Sequence, residues 1–266
     1  MLLVLQGCAL LYDTSAEGLY KNAGWSRASI PTGDFQLTWF GEPVAADATE
    51  LHIYLGGDGR AFVSRQRIAH DPTGSEHLGL RLAIADPAPS AFLARPCYYR
   101  GAPHPPCERS LWSVDRYSPR VVQPVVAALS EVAGRYPQAR LTLFGYSGGG
   151  VVALLAARHV KQVARVVTIA APLDTAAWTA RHGYTGLATN SDPAALRDWR
   201  EELVQVHLVG ENDREVPPSI AASFHERTGL QPPRSVIVPL SGYDHRCCWL
   251  ERWPATLASL AREGGL

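Results

Sequence analysis

Apolar and polar positions alternate with two periods along this chain, and the switch between them sets out the elements. Phe35, Leu37 and Trp39 alternate with Gln36 and Thr38, so 34–40 reads as a half-buried strand. A second strand, 51–55, runs directly into Gly56-Gly57-Asp58-Gly59. Leu78, Leu82 and Ala85 stand at helical spacing within 75–85, and 91–99 reads as a third strand before a loop over 100–119. The amphipathic stretch 121–136 predicts a helix that Pro137 stops.

The second half is more regular. A short buried strand at 141–144 leads into Gly145-Tyr146-Ser147-Gly148-Gly149-Gly150, and a helix follows from about 151 to 160. The β-branched run 164–170 predicts a strand covered on both faces. After a mixed insertion at 174–200 come a strand at 203–209, a helix at 217–227, a strand at 235–240 and a closing helix at 249–262. Strands alternating with helices predict a mostly parallel central sheet with helices on both faces. The expected organisation is residues 1–8 as a separate leader-like segment, 9–31 as an N-terminal extension, and 32–266 as one domain with a small cap at about 174–200.

Composition narrows the picture little. Of 266 residues 46% are hydrophobic and 19% charged, with 25 basic and 25 acidic residues, so neither disorder nor a nucleic-acid partner is expected. No His, Cys, Asp or Glu cluster has metal-ligand spacing, and 56–59 is not a dinucleotide fingerprint, so no cofactor is expected.

The N-terminus is less ordinary. Residues 1–8 form a short apolar run ending Leu5-Gln6-Gly7-Cys8, which resembles the lipobox of bacterial lipoproteins. It is too short to span a bilayer and lacks a positively charged n-region. The run is either the tail of a leader that starts upstream or a chance Gly-Cys. The first reading puts the protein on a bacterial envelope membrane through lipid on Cys8; the second leaves it in the cytoplasm.

With Cys8 set aside, Cys97, Cys107, Cys247 and Cys248 remain, and they allow three connectivities. Pairing Cys97 with Cys107 closes a short Pro-rich loop and stabilises by roughly 2–3 kcal/mol. That leaves Cys247 with Cys248, whose adjacent α-carbons sit nearer than most disulfides allow. Cross-pairing avoids this. Four reduced, buried thiols are the remaining alternative.

The candidate chemistry centres on Gly145-Tyr146-Ser147-Gly148-Gly149, a Gly-x-Ser-x-Gly pentapeptide. Such a serine sits on a sharp strand-to-helix turn, and neighbours two positions away must be nearly without side chains. The pentapeptide alone is common; a strand directly before it and a helix directly after it are the context that it requires. A phosphate-binding loop shares that shape, but the Gly-Lys-Ser/Thr it needs is missing.

On these residues the chain resembles the alpha/beta-hydrolase superfamily from about Thr32 onward. It is also similar to bacterial members with a Gly-Asp-Gly loop, an Arg-Pro-Cys segment and a His-x-Cys-Cys-Trp ending, as at 57–59, 95–97 and 245–249. The resemblance implies a triad in the order Ser, acid, His, with the acid after the second strand past the nucleophile and the histidine after the last strand. Carried onto this sequence, Ser147 is the nucleophile, Asp213 the acid and His245 the base. Glu211, on the same loop, and Asp174, one strand earlier, are rival acids. His52 and His207 fall inside strands, His159 and His225 on helices, His182 in the insertion, and His70, His77 and His104 precede Ser147.

An oxyanion hole needs two backbone donors. Gly148 supplies one, and Gly57 or Asp58 the other, from a loop that departs from the family's usual His-Gly. The Asp58 side chain has a nearby backbone group or Arg60 as alternative partners. The implied activity is cleavage of a carboxyl ester of a small-molecule acyl substrate. A thioesterase, an amidase, or a non-catalytic envelope binding protein on the same fold are the alternatives. Trp112, Tyr117, Trp178 and Tyr184 are placed to line a pocket or simply to pack the cap.

Overall fold

The computed structural model describes residues 13–64, 67–100, 106–188 and 192–262. Cys8 lies outside them. Among the described residues no helix is long and apolar enough to cross a membrane.

Eight strands form one sheet: β1 (Ser26–Thr32), β2 (Phe35–Gly41), β3 (Glu50–Leu55), β6 (Ser90–Leu93), β7 (Arg140–Tyr146), β8 (Val163–Ile169), β9 (Val204–Gly210) and β10 (Ser235–Leu240). β4 (Phe62–Ser64) and β5 (Arg67–Ile68) make a separate small ladder. The order across the sheet is β1-β2-β6-β3-β7-β8-β9-β10. β2 pairs antiparallel with both neighbours, and from β6 to β10 every pairing is parallel. The helices are α1 (Ala16–Asn22), α2 (Leu78–Ile84), α3 (Pro119–Arg135), α4 (Gly148–Ala157), α5 (Thr175–His182), α6 (Pro218–Thr228) and α7 (Trp249–Arg262). α1, α2 and α7 lie together on one face of the sheet, while α3, α4 and α6 cover the other.

Two expectations are corrected. β1 and α1 fall in the stretch read as an N-terminal extension; β1 pairs along its full length with β2 and closes the sheet edge. Its alternation is hidden because only Ile30 and Thr32 of its residues are buried. The strand expected over 91–99 ends at Leu93. Beyond it the chain must turn to carry Arg95 inward, Pro96 has no N–H to continue a ladder, and Cys97 and Tyr99 take positive φ of 75° and 59°. The pairing expected for Cys97 and Cys107 is present, with α-carbons 5.7 Å apart, and Cys247 is paired with Cys248.

The core lies between the parallel strands and α4, every residue of which is buried. A small polar cluster sits within it. His207 on β9 is fully buried, its Nδ1 2.9 Å from Thr168 Oγ1 and its Nε2 3.0 Å from Ser235 Oγ. Burial first, and the charge of neighbouring His225 second, push its pKa down to about 3. An unfolded histidine titrates near 6.5, so between these values the unfolded chain holds one more proton than the fold. Stability from this group is complete above about pH 6.5 and declines by about 1.4 kcal/mol per pH unit as the pH falls toward 3. Urea melts at pH 7, 6 and 5 should show that slope, and His207→Gln should flatten it.

Candidate active site

Ser147 occupies the turn between β7 and α4 at φ 50°, ψ −126°, a conformation that costs free energy for any residue with a β-carbon. Its surroundings explain the glycines. A Cβ on Gly145 would fall 2.4 Å from Gly150 Cα, and one on Gly149 would fall 2.4 Å from the Gly56 carbonyl oxygen. Ser147 N–H donates to the Ile169 carbonyl (2.8 Å), which ties the turn to β8.

Three side chains from three separate segments meet there. His245 Nε2 lies 3.1 Å from Ser147 Oγ, and His245 Nδ1 lies 2.9 Å from Asp213 Oδ2. The Asp213 side chain is wholly buried, and its other oxygen accepts the backbone N–H groups of Glu215 (2.8 Å) and Val216 (2.7 Å). Both of its oxygens are therefore assigned, one to the backbone and one to the imidazole. The His245 carbonyl accepts from Tyr146 Oη (3.0 Å) and from Trp249 Nε1 (3.2 Å), which fixes the loop carrying the ring.

The rival acids stand elsewhere. Glu211 is exposed, with its N–H bonded to the Leu240 carbonyl. Asp174 caps α5 through Ala177 N–H and binds Ser223 Oγ (2.6 Å) and Arg227 Nη1 (2.7 Å). Among the other candidate histidines in the described residues, His52 pairs with Asp86 (2.7 Å) inside β3, and His225 reaches Ser235 Oγ (2.8 Å) from α6. His104 lies outside the described residues.

Gly148 is the first residue of α4, so its N–H has no intrahelical acceptor. The amides of Gly57 and Asp58 also make no hydrogen bond within the described residues. The 56–59 loop runs close beside Ser147, since a Cβ on Gly57 would lie 3.1 Å from Ser147 Cβ. Amides from two segments beside Ser147 are thus without a hydrogen bond among the described residues.

Neither a protein-family model nor a curated protein matches the sequence. Solved structures do match the fold. An alpha-beta serine hydrolase homologue from Coxiella burnetii is similar at a TM-score of 0.60 and 18% identity, covering 90% of this chain and 96% of that one. An esterase of Pyrococcus furiosus reaches 0.62 at 13% identity, covering 91% and 93%. The esterase domain of a Rhodothermus marinus protein reaches 0.57 at 15% identity, covering 90% and 98%. This chain has the alpha/beta-hydrolase fold.

Within the alpha/beta-hydrolase fold, the 56–59 loop follows β3 and is held by a device that the sequence did not suggest. Asp58 Oδ1 receives Arg95 Nη1 at 2.6 Å, while Oδ2 receives Arg116 Nη1 at 3.0 Å and Tyr117 Oη at 2.8 Å. The Asp58 carbonyl accepts from Tyr98 Oη (3.1 Å), and Arg95 Nη2 donates to the Arg116 carbonyl (2.8 Å). Arg60, the partner considered from sequence, takes no part. Burial alone would raise the Asp58 pKa; the charges of Arg116 and Arg95, with hydrogen bonds from Arg95 and Tyr117, outweigh it and bring it down to about 2. The carboxylate packs directly over the start of α4: a Cβ on Gly148 would fall 2.1 Å from Asp58 Oδ1. Asp58 thus ties both amide-bearing segments together.

Ser147 and His245 open into a cleft of about 1290 Å³ between the β4–β5 ladder and α5 with its following loop. Of the four aromatic residues weighed for lining a pocket or packing a cap, Trp178 and Tyr184 line it. Trp112 and Tyr117 do not; both are fully buried, with Trp112 Nε1 on the Ala69 carbonyl and Tyr117 Oη on Asp58. Glu215 was not anticipated. Its carboxylate lies 3.7 Å from His245 Nε2 and 3.9 Å from Arg246, and only its place two residues after Asp213 hinted at this. Among the described residues no group of three His, Cys, Asp or Glu could hold a metal ion.

Proposed function

We propose that the protein is a serine hydrolase that cleaves a carboxyl ester, or a related acyl bond, through an acyl-enzyme. The observation that carries this reading is the unbroken chain of hydrogen-bonding distances from Ser147 Oγ through His245 to Asp213, set beside free backbone amides.

In the first half-reaction Ser147 Oγ attacks the carbonyl carbon as its proton passes to His245 Nε2. The carbonyl oxygen becomes an anion, and the N–H groups of Gly148 and of Gly57 or Asp58 receive it. Asp213 stays ionised and accepts a hydrogen bond from His245 Nδ1–H, which keeps Nε2 facing the serine and offsets the imidazolium charge. When the tetrahedral species collapses, the carbon–oxygen bond of the alcohol breaks and its oxygen takes the proton from His245. Water then repeats the sequence on the acyl-serine, releasing the acid and restoring Ser147.

A fluorophosphonate probe tests this reading. Wild-type protein should be labelled at Ser147, and Ser147→Ala should take no label while melting at a similar temperature. An unlabelled wild type, or equal labelling of the variant, overturns the enzyme reading and leaves a binding protein on a hydrolase scaffold.

A further inference from the structure

We infer that Trp178, His182 and Tyr184 form a stacking subsite for a flat aromatic group attached to the scissile ester. This rests on the hydrolase reading above.

Isolated exposed apolar side chains are ordinary and scatter over a surface; convergence on one place marks a ligand site. Among the described residues the exposed large apolar side chains are Phe62, Val114 and Tyr184, and all three line the cleft that holds Ser147. Tyr184 is 56% exposed. His182 is stacked on it at 5.1 Å between centroids and 17° between planes, and Trp178 meets it edge-on at 5.5 Å. With one face covered by His182 and an edge against Trp178, the exposure of Tyr184 leaves its second face to the cleft. A third ring laid on that face would extend the stack at the separations aromatic pairs prefer.

The platform is also built to stay in place. Gly183 ends α5 in the left-handed region at φ 62°, and Tyr184 N–H returns to the Thr179 carbonyl (2.9 Å), a Schellman closure that fixes the Tyr184 backbone. Ala188 N–H donates to the Val114 carbonyl (2.9 Å), so the segment after Tyr184 is tied to another residue that lines the cleft. Trp178 Nε1 (2.9 Å) and His182 Nε2 (2.8 Å) both lie on the Glu215 carbonyl. Glu215 N–H is in turn bound by Asp213, so the rings keep a set distance from the triad. A preformed, rigid site of this kind loses little freedom when it binds.

The ring belongs either to the acid or to the alcohol of the ester, and two substrate pairs separate these. The first is methyl 2-naphthoate against methyl decahydro-2-naphthoate. The second is 2-naphthylmethyl acetate against decahydro-2-naphthylmethyl acetate. In one pair the wild type should prefer the aromatic member by about tenfold in kcat/KM, as loss of ring stacking and flat contact predicts. Tyr184→Ala should bring that ratio close to one, and Tyr184→Phe should keep it. Ratios near one in both pairs, an unchanged ratio in Tyr184→Ala, or a labelled wild type that turns over no aromatic ester would overturn the subsite. A wild type that takes no fluorophosphonate label fails at the hydrolase reading instead.

Discussion

Asp213→Asn is expected to lower kcat by about ten-thousand-fold while the protein stays folded, the size of effect that the same exchange has in a serine-protease triad. The reason lies in the two backbone donors. Glu215 and Val216 N–H groups both require an oxygen at the position of Oδ1, so the amide nitrogen of asparagine must face His245. A donor there cannot accept the Nδ1 proton. The imidazole shifts to the tautomer with its proton on Nε2, which faces Ser147 Oγ and can no longer take a proton from it. Steady-state kinetics on any turned-over ester would measure this. Glu211→Gln should stay within a few-fold of wild type, because that side chain is exposed and away from the imidazole. Asp174→Ala should act on stability instead, losing the α5 cap and the contacts to Ser223 and Arg227. If Glu211→Gln or Asp174→Ala carried the large loss in kcat and Asp213→Asn did not, the assignment of the acid would fail.

Arg95→Met should be damaging to both stability and rate, by a different route. Arg95 is almost completely buried, with 1% of its side chain exposed, and faces Asp58 at 2.6 Å. Removing one member of a buried pair typically costs about 3–5 kcal/mol, because the remaining charge loses its partner. Arg116 stays on the other oxygen and should hold the cost toward the low end. The second effect is on rate. Arg95 acts on the reacting atoms only through Asp58, whose loop carries one proposed oxyanion donor and whose carboxylate packs against Gly148, which carries the other. Loosening that tie should lower kcat by about a hundredfold with KM little changed, as loss of a transition-state donor does. Arg95→Lys should restore part of both. A variant that loses stability in urea yet keeps full kcat would make Arg95 a structural residue alone.

Much of the fold could be read from the chain because its strong signals are local. The run 164–170 is apolar at nearly every position, as a strand covered on both faces must be, and β8 occupies Val163–Ile169. β1 leaves no such pattern, because an edge strand buries little and shows no clear alternation. Over 91–99 the apolar content continues past Leu93, where the backbone already turns, so the pattern is longer than the strand. The rings of Trp112 and Tyr117 carry no local sign of whether they face a cleft or a core.

Crowding at the elbow around Ser147 demands glycines at fixed offsets, so the amino-acid chain alone reveals it, and the Ser, acid, His order that the family resemblance implies marks Asp213 and His245. Long-range packing brings Asp213 rather than Glu211 to the imidazole, and Arg95 and Arg116 rather than Arg60 to Asp58. The same holds for the wall of rings at Trp178, His182 and Tyr184. The two cases differ in range. Backbone crowding acts between residues a few positions apart, and so leaves a pattern in the sequence. An ion pair or a shared cleft joins side chains from distant segments, and their meeting is set by how the sheet and its connections pack.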